Sequence, residues 1–311
     1  MVPITTLTMN PAIDIATAVE RVEPVHKLRC TAPRRDPGGG GINVARVVAR
    51  MGGAVTAVYP VGGAAGQQLQ SLVESEGVRS STFPVQDETR LSFTVTESMS
   101  GKEFRFVLPG RPISGTDCRQ ALDTLGHCPE GGYLVLSGSL PPGVPPEFYA
   151  HAASAAKARG CKVVADTSGA AALALLREGI CLIKPNLREL ETLAGRTLPA
   201  QDDWRRACQD IVEFGQAEIV ALTLGANGAM LVSKDNTLRA APLPIGTASS
   251  VGAGDSFLGA MVWAMASGRT LAEAFEWGNA AGGAALLTPG TELCRREDVE
   301  RLAPRVALEP M

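Results

Sequence analysis

The stretch SSVGAGDSFLGA, residues 249–260, organises the rest of the chain. Its small residues let the backbone turn tightly and approach a ligand without a clash from β-carbons. After Asp255, the apolar residues Phe257, Leu258 and Met261 recur at helical spacing. This pattern predicts a glycine turn that leads into a buried helix, with Asp255 in or beside its first turn.

A carboxylate at the start of a helix suggests a particular chemistry. The free N–H groups there attract anions, so a negative ligand and Asp255 would lie close together. Phosphoryl transfer explains this arrangement, because the N–H groups would stabilise the charge on the moving phosphoryl group while the acid takes a proton from the attacking hydroxyl. Asp is also a preferred helix-capping residue, so on this motif alone a plain cap is an equal alternative.

Composition narrows the class of protein. The chain has 311 residues, of which 45% are apolar, enough for one large α/β domain or two smaller ones. A net charge of −3 argues against nucleic acid or an acidic membrane as the main partner, and no apolar run is long enough to span a membrane. The first residues lack the features of a secretory signal, and seven scattered cysteines without a C-x-x-C pair suggest reduced thiols. We therefore expect a cytoplasmic protein.

Near-continuous apolar segments predict a parallel sheet covered by helices on both faces. These segments are Ile4–Met9, Val55–Gly62, Tyr133–Ser137, Lys162–Ala165, Ile180–Ile183 and Ile219–Leu224. Polar residues follow several of them, at the strand ends where ligands bind in open α/β sheets. Residues 230–232 and 238–240 predict an antiparallel pair at the sheet edge, and residues 271–287 predict a helix.

A different pattern interrupts this series. Residues 90–97 and 102–107 alternate as two strands joined at Gly101, which predicts an inserted hairpin that could act as a lid. Arg90 opens the hairpin and could clamp a phosphate with two hydrogen bonds, although most surface arginines have no such role. The basic segment 25–30, with Lys27 and Arg29, is either a solvated strand or a cationic edge that reaches the same phosphate.

Two further motifs could contact a ligand before the lid. Asp14 follows the first predicted strand and could accept hydrogen bonds from hydroxyl groups, or could simply cap a turn or helix. Four glycines, residues 38–41, precede Asn43 and an apolar helix. They predict either a substrate loop with Asn43 on the ligand or a flexible hinge. The pattern is not that of a P-loop.

The group K-P-N-x-x-E comprises Lys184, Asn186 and Glu189. With a nucleotide bound, Lys184 and Asn186 would contact phosphates while Glu189 holds Mg²⁺, directly or through water. The structural alternative is a capping box, in which Asn186 and Glu189 satisfy the first N–H groups of a helix.

The glycine loop with Asn43, the K-P-N-x-x-E group and the G-A-G-D signature occur in the order typical of the ribokinase-like (PfkB) carbohydrate kinases. The chain resembles this family over nearly its whole length. The resemblance implies a Rossmann-like three-layer α/β sandwich with a mostly parallel sheet and a small β-sheet lid. It implies one domain over residues 1–311, with lid segments at about 15–35 and 88–110, and a homodimer formed through the lid.

The resemblance also implies roles for individual residues. Asp255 would be the general base, and the N–H groups of Gly252, Ala253 and Gly254 would form the anion hole. The residues for the sugar and its phosphate would be Asp14, Lys27, Arg29, Gly39, Asn43, Arg90 and Ser139. Those for ATP would be Lys184, Asn186, Thr223, Gly225 and Asn279, with Glu189 for Mg²⁺. Ser249 and the Val251 carbonyl are candidates for a K⁺ site, although many family members have Asp where this chain has Ser249.

The basic residues of the lid bear on the substrate. A neutral sugar would leave Arg90 and Lys27 without a partner, whereas a phosphate brings about two negative charges at neutral pH. We therefore expect ATP-dependent phosphorylation of fructose 6-phosphate at its C1 hydroxyl, with tagatose 6-phosphate or fructose 1-phosphate as alternative substrates. An alternative of another class is a non-catalytic sugar-phosphate sensor, which would normally have lost the base or the anion hole.

Overall fold

The computed structural model describes residues 1–127, 129–246 and 248–311, so Cys128 and Thr247 lie outside the description. The strands are β1 (Ile4–Leu7), β2 (Ala12–Val19), β3 (Arg34–Gly38), β4 (Val55–Val61), β5 (Arg79–Pro84), β6 (Arg90–Glu97), β7 (Glu103–Val107), β8 (Tyr133–Ser137), β9 (Lys162–Asp166), β10 (Ile180–Ile183), β11 (Ala217–Thr223), β12 (Ala229–Ser233), β13 (Thr237–Ala240) and β14 (Leu308–Pro310). The helices are α1 (Gly40–Arg50), α2 (Gly63–Ser75), α3 (Gly115–Gly126), α4 (Phe148–Lys157), α5 (Gly169–Leu176), α6 (Leu187–Ala194), α7 (Gln201–Glu213), α8 (Ala253–Ala266), α9 (Leu271–Leu286) and α10 (Arg296–Leu302).

Ten of the described strands form one sheet in the order β14-β13-β12-β11-β10-β9-β8-β1-β4-β5. Strands from β11 through β5 in this order pair in parallel, and β12, β13 and β14 extend the edge in antiparallel fashion. This arrangement confirms the predicted sheet and its antiparallel edge pair. The chain crosses from one side of β1 to the other, and such a reversal opens a crevice at the carboxyl ends of the strands.

Helices cover both faces of this sheet. Alternate strand residues contribute to two separate buried clusters, because successive side chains in a strand point to opposite faces. One cluster joins the sheet to α3, α4, α5, α6 and α7, and the other joins it to α1, α2, α8 and α9. The predicted three-layer α/β sandwich is therefore confirmed. No helix within the described residues has both the length and the apolar character needed to cross a bilayer.

A second sheet has the order β3-β2-β6-β7. Its β6 and β7 are antiparallel, which confirms the predicted hairpin. Asp14 lies opposite Asp36 and Ser92 in the register, and these paired side chains share one face of the sheet. The neighbouring pairs, Ile15 with Phe93 and Phe93 with Phe106, share the other face. The small sheet thus has a polar face that includes Asp14 and an apolar face that includes Phe106.

In this region, the structure excludes one of the two alternatives that the sequence left open for Asp14 and one of the two for residues 25–30. Asp14 caps neither a turn nor a helix, because β2 begins at Ala12 and already includes it. Residues 25–30 form no strand and are exposed. Pro24 provides no N–H group for a ladder, and Val25 has a φ of 71°, which is incompatible with an extended strand.

Candidate active site

The start of α8 has the geometry of an anion site. Gly252 precedes the helix with a left-handed φ of 76°, and a β-carbon placed on it would lie 2.4 Å from Leu293 Cδ2. Only glycine therefore fits there without displacing a neighbour. Ala253, Gly254 and Asp255 form the first turn of the helix, whose leading N–H groups have no intrahelical acceptor.

Asp255 does not use its carboxylate as a helix cap. No side chain caps α8 within the described residues, and Asp255 Oδ2 instead accepts a hydrogen bond of 2.9 Å from Asn43 Nδ2. Burial raises the pKa of Asp255 to about 6, and the Asp166 carboxylate adds to the increase. The Asn43 hydrogen bond and the Lys184 ammonium act in the opposite direction. At neutral pH the group is thus mostly ionised and able to accept a proton.

Lys184 connects this carboxylate to the next strand ends. Its Nζ lies 3.2 Å from Asp166 Oδ1, at the end of β9, and 3.4 Å from the position of a β-carbon on Gly254. Burial alone would lower the pKa of Lys184, but the carboxylates of Asp166, Asp255 and Glu189 raise it above its ordinary value. A fixed ammonium charge therefore packs against the first turn of α8.

Asp14 faces the same region from the small sheet. The end of β3 lies so close that a β-carbon on Gly38 would be 2.2 Å from Asp14 Oδ2, and the next residue, Gly39, is the N-cap of α1. Burial raises the pKa of Asp14 to about 6, and the cations Arg90, Arg105 and Arg46 counteract the increase. Asp14 also raises the pKa of Asp255, so the two carboxylates share one region.

Arg90 lies at the edge of this region with part of its hydrogen-bonding capacity unused. Its Nη2 donates to the Asn10 carbonyl at 3.0 Å, and its Nη1 donates to the Leu108 carbonyl at 3.1 Å. Its Nε is buried and has no hydrogen-bond partner within the described residues. Lys27 and Arg29 are exposed in the segment between β2 and β3, and neither side chain has an ion pair or hydrogen bond in the described part of the chain. The chain by itself does not bring these two cations to Arg90.

The K-P-N-x-x-E group adopts the capping geometry. Asn186 Oδ1 accepts from Glu189 N at 3.0 Å, and Glu189 Oε2 accepts from Asn186 N at 2.8 Å, as in a capping box at the start of α6. Burial raises the pKa of Glu189, and the Asp166 carboxylate adds to this increase. The capping box that the sequence offered as an alternative is therefore present. In this position, the Glu189 carboxylate is close enough to Asp166 to be affected by its charge.

The carboxylates of Asp166 and Glu189 are of the type that coordinates a divalent cation. Carboxylate oxygens suit Mg²⁺, which also keeps water and takes ligands from phosphates. Within the described residues, no group of three or more acidic, cysteine or histidine side chains could hold a metal ion. Asp166 and Glu189 would therefore supply part of a coordination shell that the phosphates of a nucleotide complete.

The remaining predicted residues lie at strand ends or on α9. Ser139 follows β8, and its Oγ accepts from Asn10 Nδ2 at 3.1 Å. Thr223 ends β11, where its N–H group donates to the Pro185 carbonyl at 2.9 Å, and Gly225 follows two residues later. Asn279 donates through Nδ2 to the Phe275 carbonyl of its own helix at 2.7 Å.

The candidate K⁺ loop is tied to the small sheet. Ser249 is buried, and its Oγ donates to Glu103 Oε2 of β7 at 3.1 Å while accepting from Val251 N at 3.2 Å. The Ser249 hydroxyl is therefore largely occupied. The Glu103 carboxylate adds a negative charge beside this loop.

Sequence reasoning missed three residues that contact the site. Asp166, which directly follows the predicted strand segment Lys162–Ala165, was given no role, although its position at the same sheet edge as Lys184 could have indicated one. Arg46 contacts Asn43 from one turn further along α1, and Glu103 contacts Ser249 from the small sheet. These two contacts join residues whose partners cannot be recognised from local patterns.

The fold and the site together define a small-molecule kinase of the ribokinase-like class. Residues 2–298 match the sequence profile of the pfkB family of carbohydrate kinases. The chain belongs to the pfkB family of carbohydrate kinases.

Within this family, the chain resembles the bacterial minor-isozyme type of 6-phosphofructokinase, as its motifs also indicate. It is 44% identical to the ATP-dependent 6-phosphofructokinase isozyme 2 of Escherichia coli, over 97% of this chain and 98% of the relative. It is 42% identical to the protein of the same name from Mycobacterium tuberculosis, over 99% and 90%. Crystal structures of phosphofructokinase-2 from Escherichia coli, one with potassium and one with substrates and products, superpose with TM-scores of 0.95 at 43% identity, covering 98% of this chain and 99% of theirs.

Proposed function

We propose that the protein transfers the γ-phosphoryl group of ATP to the C1 hydroxyl of fructose 6-phosphate and so forms fructose 1,6-bisphosphate. The observation that carries this proposal is the position of Asp255. It is ionisable near neutral pH, lies in the amide-rich first turn of α8, and is held by Asn43 in the region that Asp14 faces. The name of the Escherichia coli and Mycobacterium tuberculosis relatives and the substrate complex of the former support this assignment.

Each part of the site has a role in the proposed reaction. Asp255 accepts the proton of the C1 hydroxyl, and the N–H groups of Gly252, Ala253 and Gly254 stabilise the charge on the transferring group. Because the transition state is loose and the proton leaves late, a carboxylate is a strong enough base. Asp14, Gly39, Asn43 and Ser139 hold the sugar. Lys184, Asn186, Thr223, Gly225 and Asn279 hold ATP.

A phosphorylated sugar substrate explains why Arg90 has an unpaired N–H group. Its buried Nε lacks an acceptor within the described residues, and a phosphate oxygen would supply one. Lys27 and Arg29 would add positive charge once the exposed segment that carries them reaches the phosphate. We infer a lid formed by segments at about 15–35 and 88–110 of a single domain, residues 1–311, which would exclude water during transfer.

Two ions belong to this proposal. Mg²⁺ would be held by Glu189 and Asp166 and would neutralise charge on the ATP phosphates. A K⁺ site would involve Ser249 and the Val251 carbonyl, which is supported by the potassium complex of the Escherichia coli relative and by the Glu103 carboxylate beside Ser249.

We further infer a homodimer that buries the apolar face of the small sheet. On β7, Phe106 lies on this face and is 52% exposed. Val107, on the face of Ser92, and Leu108, after the strand, are 61% and 45% exposed at the same edge. Such a patch at an open sheet edge is typical of an interaction surface. Light scattering of the wild type and of Phe106→Asp tests the inference: a dimer that becomes a monomer supports it, and a wild-type monomer or unchanged dimer contradicts it.

We also infer a cytoplasmic location from the proposed substrates.

The experiment that tests the function is an ATP-coupled assay with a panel of acceptors. The panel contains fructose 6-phosphate, tagatose 6-phosphate, fructose 1-phosphate and free fructose. We expect the highest kcat/KM for fructose 6-phosphate. The value for free fructose should be lower by about 10²-fold or more, because the neutral sugar leaves Arg90 unpaired. A preference for fructose 1-phosphate or free fructose would contradict the proposal. Binding of fructose 6-phosphate without any turnover would indicate a sensor.

A further inference from the structure

Arg46 is a fully buried arginine one turn after Asn43 on α1. Its guanidinium donates from Nη2 to Glu76 Oε1 at 2.8 Å and from Nη1 to the Pro37 carbonyl at 3.0 Å. Nη1 also lies 3.3 Å from Asn43 Oδ1, to which it donates. Burial lowers the pKa of Arg46, and the Glu76 carboxylate opposes this effect, so the cation is held where water cannot solvate it.

Burying an arginine costs free energy unless all of its N–H donors have acceptors, so the buried position of Arg46 needs a reason. Glu76 is the C-cap residue of α2 and receives hydrogen bonds from both Arg46 and Arg50. It therefore fixes the Arg46 guanidinium from the side opposite Asn43. A purely structural link between α1 and α2 would already be provided by Arg50 and Glu76.

The contact between Arg46 and Asn43 determines how the Asn43 amide is oriented. An arginine can only donate hydrogen bonds, so the atom of Asn43 that faces it must be the oxygen. An ionised Asp255 can only accept, so the atom that faces it must be the nitrogen. With both neighbours in place, a single orientation of the amide satisfies all three groups.

We propose that Arg46 is a positioning residue for the phosphoryl-transfer reaction, because it occupies Asn43 Oδ1 and so keeps the Asn43 amide nitrogen on the Asp255 carboxylate. This inference rests on the proposed role of Asp255 as the base. Glu76 holds the Arg46 guanidinium in place and so contributes to the orientation of Asn43. Arg46 itself need not touch either substrate.

The consequence appears when Asp255 gains a proton. Without Arg46, the Asn43 amide could rotate and accept a hydrogen bond from the protonated carboxyl, which would stabilise the inactive form. Arg46 prevents this rotation. The other groups that face Asp255 are Asp166 after β9, Lys184 after β10 and Asp14 on β2, and none of them hydrogen-bonds the Asn43 side chain. Loss of Arg46 should therefore raise the apparent pKa on the acid side of the rate profile.

The test is the pH profile of kcat/KM for the phosphosugar that the wild type uses. Arg46→Lys keeps the charge beside Glu76, but one ammonium cannot reach Glu76, Pro37 and Asn43 as the planar fork does. We expect the acid limb to move up by about one pH unit, which lowers the rate about fivefold at pH 6 and about tenfold well below pH 6, with a much smaller loss at pH 8.5. The KM for ATP should stay near that of the wild type.

A double-mutant cycle shows whether Arg46 acts through Asn43. In an Asn43→Ala background, Arg46→Lys should cause no further shift of the acid limb, since the amide that it orients is gone. The matched control is Arg50→Lys, which loosens the same Glu76 pair without contacting Asn43, and it should leave the acid limb in place. If Arg46→Lys does not fold, Glu76→Gln should give a smaller shift in the same direction.

Three results would overturn the inference. These are an unshifted acid limb in folded Arg46→Lys, an equal shift in Arg50→Lys, and an additive effect of Arg46→Lys in the Asn43→Ala background. The function itself is tested separately, because it fails if the wild type turns over no phosphosugar. A wild type that is active with an unmoved acid limb refutes only the role of Arg46.

Discussion

The start of α8 and the small sheet differ in how completely their charged groups are paired. Near α8, Asp255 is held by Asn43, and Lys184 lies against Asp166. On the small sheet and the segment beside it, Lys27 and Arg29 are exposed without a partner in the described part of the chain, and Arg90 Nε lacks an acceptor there.

This difference separates two tasks. The groups proposed to stabilise the moving phosphoryl group are fixed by elements of the core, so they need little reorganisation at the moment of reaction. The groups proposed to recognise the sugar phosphate are incomplete until an anion arrives. Changes near α8 should therefore affect kcat, and changes on the small sheet should affect the KM for the phosphosugar.

The largest effect is expected for Asp255→Asn. The amide keeps the size of the side chain and can still accept from Asn43, but it cannot take a proton from the hydroxyl. We expect kcat to fall by about 10³-fold or more while the Kd for ATP changes little. Steady-state kinetics and ATP binding by calorimetry check this prediction. A variant that keeps near-normal turnover would remove Asp255 from the role of base.

Gly252→Ala should give the next largest effect. The new β-carbon would meet Leu293 Cδ2 at 2.4 Å and would require a non-glycine residue at a φ of 76°. The N–H groups of the first turn would shift, so we expect kcat to fall by about 10²-fold. The matched control is Gly268→Ala, after the other end of α8, with a φ of 80° and no atom within 4 Å of its β-carbon. Equal losses of kcat in both variants would mean that general strain, and not the anion hole, is responsible.

Arg90→Ala tests the small sheet. Loss of the guanidinium should raise the KM for the phosphosugar by about 10²-fold and change the KM for ATP by less than about threefold. Arg79→Ala is the matched control, because Arg79 is an exposed arginine at the start of β5 in the large sheet. The distinction between the two regions fails if Arg90→Ala raises both KM values equally, or if Arg79→Ala has the same effect as Arg90→Ala.

The smallest effect concerns stability. The folded-state pKa values of Asp14 and Asp255 are raised to about 6, mainly by burial, from 3.8. A carboxyl group with a raised folded-state pKa favours the folded state below its unfolded pKa and loses that contribution as pH rises through its folded pKa. The free energy of unfolding should therefore decrease between about pH 4 and pH 6 through these two groups. At pH 8, Asp255→Asn should be more stable than the wild type, by at most about 3 kcal/mol.

Urea unfolding of the two proteins at pH 5 and pH 8 measures this difference. The gain in stability from Asp255→Asn should be larger at pH 8 than at pH 5, since the wild-type group is largely protonated at the lower pH. A variant that is less stable than the wild type at pH 8 would show that the ionised carboxylate stabilises the fold.

The sequence predicts the parts of the molecule that follow from local patterns. The apolar strands, the hairpin 90–107 and the helix after Gly252 are where periodicity and turn residues place them. The candidate residues that follow strands meet at one sheet edge because parallel strands end together. The strand alternative for residues 25–30 is wrong, because Pro24 has no N–H group to donate and Val25 has a φ of 71°.

Side-chain pairing between distant elements could not be predicted in this way. Asn43 was assigned to the sugar, yet its amide nitrogen contacts Asp255, which is 212 residues away in the chain. Arg46 lies on α1 among apolar neighbours, and only the fold shows that Glu76 compensates its charge. Such contacts depend on packing, which a single sequence does not encode in its local periodicity.

The most direct test of the central claim is a crystal structure of the protein with fructose 6-phosphate and a non-hydrolysable ATP analogue. The account predicts the C1 hydroxyl oxygen within about 3.2 Å of an Asp255 carboxylate oxygen, with the 6-phosphate on Arg90. A sugar bound with its C1 hydroxyl far from Asp255, or with its 6-phosphate at Lys184, would contradict the account.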